Sequence, residues 1–190
     1  MNETKKDRLP PGQHLTKRFP ILQKGGVKHL DREKYKLTID GLVENPVEFT
    51  LDEIKELPKY EEVVDIHCVT TWSKFDTKWG GVQFKEIIAL VRPKPNAKFV
   101  IMHGADDGFT TSLPLKAMAD DDVLVAYEYD GKPINDAHGG PVRTIVPKRY
   151  FYKSAKWLVR LEFVEEDQPG YWERGGYSNS ADPWKEERYG

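Results

Sequence analysis

His138-Gly139-Gly140-Pro141-Val142-Arg143, followed by Ser154-Ala155-Lys156-Trp157-Leu158, is the most distinctive stretch of this 190-residue chain. Taken alone, its first half reads as a Gly-Pro turn feeding a strand over Val142–Val146 that stops before Pro147. Arg143 then has a plain reading as one half of a surface ion pair. Downstream, Trp157, Val159, Leu161 and Phe163 give the clearest period-two alternation in the chain and predict a second strand.

Working outward, Tyr35, Leu37 and Ile39 alternate with polar neighbours and predict a strand ended by Asp40-Gly41. Thr50-Leu51-Asp52-Glu53 has capping-box spacing, and Pro58 stops the short helix that follows. Val64, Ile66 and Cys68 fall on one face of another strand. Phe84, Ile87, Ile88 and Val91 recur at helical spacing before Pro93. Phe99–Met102 and Val123–Tyr127 are apolar runs of strand length. Several strands with only a few short helices predict a β-rich α+β fold rather than a doubly wound sheet.

The chain reads as one domain over 1–190, with an extended arm over 1–30 and an ordered tail over 169–190. Charged residues make up 32% and nearly cancel to a net charge of −2, which speaks against a nucleic-acid or polybasic membrane-surface binder. No apolar run has the length of a membrane span. The start, Met1 to Arg8, shows no apolar signal core, and one cysteine suits a reducing compartment, so a cytoplasmic location is expected. Neither a dinucleotide fingerprint nor a P-loop is present. The five tryptophans read as core and loop-pinning residues, and the acidic groups Asp120–Asp122 and Glu165–Asp167 as solvated turns.

Cys68 is the only cysteine, so it has no internal disulfide partner and cannot anchor a cysteine-rich zinc site. Three readings remain from the residues alone: a buried small hydrophobe, a nucleophile, or a single thiolate on a metal held mainly by something else. His67 is its neighbour on a strand and points to the other side, so the two do not form a nucleophile-base pair. By spacing alone the core thiol is the simplest choice.

The order of three segments resolves more. Cys68-Val69-Thr70-Thr71-Trp72-Ser73 with Trp79-Gly80-Gly81, the string Gly140–Arg143 running on through Val146-Pro147, and Tyr171–Tyr177 together resemble the sulfite oxidase-type molybdopterin oxidoreductases, which include the bacterial methionine-sulfoxide reductase catalytic subunits. The resemblance covers nearly the whole chain and implies the sulfite oxidase catalytic-domain fold. It implies a molybdenum-molybdopterin cofactor, with Cys68 as the thiolate on the metal. His138 and Arg143 would hold the pterin phosphate and ring, and Ser154, Ala155 and Lys156 would complete the phosphate seat. Lys17, Arg18 and Phe19 would close over the cofactor from the arm, and His103 falls where the family places another cofactor contact.

Tyr177 matches the tyrosine beside the metal in sulfite oxidases. The arginines that those enzymes carry after the cysteine are here Thr70, Thr71 and Trp72. The expected activity is therefore two-electron oxygen-atom transfer on a small sulfur-containing substrate. An S- or N-oxide reductase and a non-catalytic molybdopterin-binding protein are the alternatives. No haem is expected, electrons would pass to or from a separate partner, and the chain would be a monomer.

Overall fold

The computed structural model describes residues 7–190, so Met1 to Lys6 of the expected arm and leaderless start lie outside the described residues. In chain order the first half contains β1 (His14–Leu15), β2 (Lys36–Gly41), β3 (Val47–Thr50), α1 (Leu51–Glu56), β4 (Tyr60–His67), β5 (Trp72–Gln83) and α2 (Phe84–Val91). There follow β6 (Phe99–Gly104), β7 (Thr110–Pro114), α3 (Leu115–Met118), β8 (Leu124–Tyr129), β9 (Lys132–Pro133) and β10 (Arg143–Ile145). The chain ends with β11 (Leu158–Val164) and α4 (Tyr171–Arg174), and single 3-10 turns lie at Asp136–His138, Phe151–Lys153 and Pro183–Lys185.

Two sheets result. One has the order β3-β2-β11-β6-β7, with β2 and β11 parallel and the other pairs antiparallel. The other is built on the long β5: β4 pairs along one edge, and β1 and β8 share the other. β10 and β9 extend it from β8.

The main core fills the space between the sheets, where Leu37, Ile39, Met102, Leu161 and Phe163 meet Val82, Val125 and the inner face of α2. A second core lies on the opposite face of the β5 sheet and holds Ile66, Cys68, Trp72, Trp79, Leu124 and Ala126. β8 is thus buried on both faces, which explains its unbroken apolar run.

Local chemistry explains most boundaries. Thr50 and Glu53 close a reciprocal capping box on α1, with both the side-chain and backbone halves formed. α2 ends at Arg92 in the left-handed region, one residue before Pro93. The predicted alternation from Trp157 is modified: Trp157 is in the left-handed region at φ 48°, the strand starts at Leu158, and a bulge separates Leu158 from Arg160. The bulge turns Leu158 into the core as well as Leu161 and Phe163.

β3, β5 and β7 were not anticipated, because Ser73, Lys74, Asp76 and Lys78 or Thr110–Ser112 hide a strand in polar sequence. The tail forms α4 and a 3-10 turn where continuous loop was expected. Of the five tryptophans expected to fill the core or pin loops, Trp184 is half exposed and so outside the core. Residues 7–30 are mostly extended and joined to the β5 sheet by β1 and by Arg8, which grips Asp65 at 2.6 and 2.9 Å and Asp76 at 2.7 Å.

Leu161 is fully buried at the centre of the five-stranded sheet, opposite Ile39 and Met102. Leu161→Ala should lower unfolding stability by about 2–5 kcal/mol, read as a drop in the urea midpoint at an unchanged slope.

Candidate functional site

A cavity of about 240 Å³ opens where the tip of the β4–β5 hairpin meets the loops around β10 and the tail. Cys68 stands at that tip. Its N–H donates to Trp72 O and its carbonyl accepts from Thr71 N, while Thr71 takes φ 78° to close the turn. Gln13 of the arm donates to the Cys68 carbonyl at 3.0 Å. The thiol is buried with its sulfur 3.1 Å from Thr70 Oγ1. Burial pushes its pKa up, and the Thr70 hydroxyl works in the opposite direction. His67 points elsewhere, to Ser73 at 2.8 Å and the edge of Trp184.

Across the cavity, β10 delivers Arg143, which is 1% exposed. Its guanidinium donates to His138 O at 2.7 Å, Ser154 O at 3.0 Å and Thr144 O at 3.3 Å, and lies over the faces of Phe151 and Trp79. No carboxylate pairs with it among the described residues. Lys156 adds a second cation, its ammonium donating to Ala137 O at 2.8 Å and Gln23 Oε1 at 3.1 Å. Burial first, and Arg143 second, push the Lys156 pKa down to about 7. His138 follows the same logic and is held near 4 by burial, Arg143 and Lys156. Gly139 makes this crowding feasible: it takes φ 96°, and a Cβ there would sit 2.7 Å from Lys156 Cβ.

Buried Arg143, with no carboxylate partner among the described residues, and half-buried Lys156, on which Asp106 acts from across the cavity, together favour an anionic occupant such as a phosphate. Among the described residues no cluster of three His, Cys, Asp or Glu has metal-ligating spacing. The protein thus offers a metal one sulfur, which fits a metal whose remaining ligands arrive with a cofactor. Asp106 and Trp72 border the cavity, but Asp106 Oδ1, which faces Gly104, and Trp72 Nε1 are enclosed and have no partner among the described residues.

Of the residues selected from sequence, Cys68, His138, Arg143, Ser154, Lys156 and Tyr177 line this one cavity. Ala155 is fully buried behind it, its N–H bonded to Thr144 Oγ1. Phe19 stacks on His138 with ring centres 4.1 Å apart, supporting the imidazole from behind. Lys17 and Arg18 are exposed and outside the lining. His103 is also outside it, bonded to Glu162 at 2.9 Å on the five-stranded sheet.

The sequence reading missed Asp106, Tyr152 and Trp172 in the lining. Asp106 is 5% exposed, and burial raises its carboxyl pKa to about 6. Its only signal in the sequence is an ordinary Asp-Asp-Gly turn. The plain reading of Arg143 as a surface ion pair is overturned by its burial.

Comparison with known proteins agrees with this architecture. Residues 24–172 match the family model described as the oxidoreductase molybdopterin binding domain. An uncharacterized oxidoreductase of Bacillus subtilis, YuiH, is 42% identical over 96% of this chain and 92% of its own length. The protein-methionine-sulfoxide reductase catalytic subunit of Campylobacter jejuni is 28% identical over 77% of this chain, and the mitochondrial sulfite oxidase of Drosophila melanogaster 29% over 80%. The chain spans only 54% and 32% of those two proteins. Among solved structures, the sulfane dehydrogenase SoxCD of Paracoccus pantotrophus superposes with a TM-score of 0.69 at 25% identity, over 75% of this chain and 41% of that one. A family match that runs from the arm to the start of the tail, and encloses both walls of the cavity, makes this chain a molybdopterin-binding oxidoreductase of the sulfite oxidase type.

Proposed function

We propose that the cavity seats a molybdenum-pterin cofactor and that the chain uses it for oxygen-atom transfer on a small sulfur-containing substrate. The buried Arg143 guanidinium, bonded to carbonyls and without a carboxylate partner among the described residues, carries the reading, because a charge so placed favours an anion beside it. Arg143 and Lys156 hold the phosphate, with the Ser154 backbone beside them. His138, held neutral, would border the ring system, and Asp106 would lie in the same lining. Cys68 gives the metal its protein thiolate. The bound cofactor supplies two-electron redox chemistry at the metal. Trp72, Phe151 and Trp157 keep that region of the cavity apolar, which strengthens each polar contact made inside it.

The residues beside Cys68 favour a neutral sulfur oxide over sulfite. Val69, Thr70 and Trp72 are uncharged, Arg188 nearby is engaged with the Val69 carbonyl at 2.6 Å, and of the lining cations Lys24, Arg143 and Lys156 two are committed to the phosphate on this reading. Arg174 is exposed and donates to Pro169 O. The reading gives electron supply to a separate redox partner. It treats the chain as a monomer in a reducing compartment, where a lone thiol is stable.

Protein from a host that makes the cofactor tests these roles. Arg143→Met should lose charge-assisted bonds worth roughly 1.5–3 kcal/mol, so that pterin retention falls about ten- to hundredfold; full pterin content in a folded Arg143→Met protein would remove the phosphate seat. Cys68→Ser should keep pterin but change the sulfur coordination seen by molybdenum X-ray absorption. Unchanged sulfur coordination sinks the ligand assignment.

A pH dependence follows for cofactor-free protein. Lys156 is depressed from 10.5 to about 7 in the folded state, so the unfolded chain binds more protons between those values. Stability should rise with pH across that window, and the penalty is fully present below it. Lys156→Met should flatten the rise in denaturant titrations. An equal slope in both proteins contradicts the burial of an uncompensated lysine.

A further inference from the structure

We infer that Lys153 and Glu173 are positioning residues: they fasten the C-terminal segment against the cavity, so that Tyr152, Trp172 and Tyr177 form an aromatic wall selecting a neutral substrate with an apolar arm. The inference rests on the functional reading above and deepens it by assigning the substrate side.

Lys153 and Glu173 make a buried ion pair at 2.6 Å, with side chains 0% and 2% exposed. Lys153 also donates to Ser112 O at 2.9 Å and Asn179 Oδ1 at 3.1 Å, and Glu173 Oε1 accepts from Thr111 Oγ1 at 2.5 Å. One ammonium therefore ties together the 3-10 turn, β7, α4 and the tail. α4 can reach this knot because Gly170 has no side chain: a Cβ there would lie 2.0 Å from Thr110 O.

A buried ion pair adds little net stability over an apolar pair of the same size, but it fixes direction and register. Here Glu173 Oε2 has no partner among the described residues, so within them the knot is not fully satisfied. What it fixes are its neighbours in sequence. Tyr152 precedes Lys153, Trp172 precedes Glu173, and both line the cavity.

The wall is continuous. Tyr177 stacks on Tyr152 at 5.3 Å and meets the edge of Trp172 at 5.7 Å, while Tyr189 backs it at 5.7 Å from the outside. The Tyr152 hydroxyl donates to Ser178 O and so ties the wall to the tail a second time. Glu173 and Tyr177 lie beyond residues 24–172 of the family match. The wall carries no charge and faces the same cavity as Cys68, so it suits an aryl or alkyl group flanking a neutral S–O bond rather than an oxyanion.

The test uses cofactor-loaded protein, with methyl phenyl sulfoxide and dimethyl sulfoxide as probes and reduced benzyl viologen as electron donor. The double variant Lys153→Met/Glu173→Leu replaces the pair by apolar groups and should fold with Tm within about 5 °C of wild type. Its molybdenum and pterin content should be unchanged. Amide exchange over 171–180 should speed up, and KM for methyl phenyl sulfoxide should rise about tenfold with a smaller change for dimethyl sulfoxide. Glu173→Gln keeps the acceptor oxygen and should show the same pattern more weakly, which covers the case of a double variant that fails to fold. Unchanged exchange over 171–180 and an unchanged ratio of the two KM values in either folded, loaded variant overturn the positioning role. Wild-type protein without molybdenum or pterin overturns the functional reading instead, and the exchange measurement still decides whether the pair fastens the tail.

Discussion

The site depends on one constraint: Arg143 carries a full charge into the interior and receives only carbonyl oxygens there. Its contacts with His138 O and Ser154 O clip the turn before β10 to the turn after it. The aromatic faces of Trp79 and Phe151 close over the guanidinium. Placing Lys156 nearby makes the arrangement worse for an empty protein and better for one that holds an anion. The strain in charge is local, and the surrounding structure, with β8 buried on both faces, is rigid enough to carry it.

The rest of the architecture brings other groups to that seat. The β4–β5 hairpin projects Cys68 from the second core into the cavity. The arm is held by β1 and Arg8, and it supplies Phe19 behind His138 and Gln23 beside Lys156. The tail closes the remaining side through α4. Three segments distant in sequence thus meet in one cavity, each fixed by a different device: a tight turn, a parallel strand pair and a buried ion pair.

Much of the fold was legible where one face is apolar and the other polar. The helix from Phe84 and the strands at Leu37 and Leu161 carry a period that burial imposes, the capping box at Thr50 marks a helix start, and the strand at Val100 shows as an unbroken apolar run. β5 was not legible, because its outer half is charged and its inner half contains Gly80 and Gly81, so no apolar alternation survives. In the site, the cluster of Cys68, His138, Arg143, Ser154, Lys156 and Tyr177 could be named from motif order, whereas spacing alone favoured an inert thiol and left a surface arginine as open as any other role. Asp106, Tyr152 and Trp172 were invisible because their role comes from which cavity they border, and a turn aspartate or a tail aromatic looks the same whether or not it borders one. Lys17, Arg18 and His103 show the converse: position in a pattern selected them, but the chain places them outside the lining.

The central claim is that buried Arg143, half-buried Lys156 and the single thiol form the seat of a phosphate-bearing, metal-carrying cofactor. Molybdenum and pterin content of the native protein, purified from a host that makes the cofactor, measures this most directly. The account predicts molybdenum and pterin in equal amounts, each close to one per chain. Protein that is folded and monodisperse yet carries neither would contradict it.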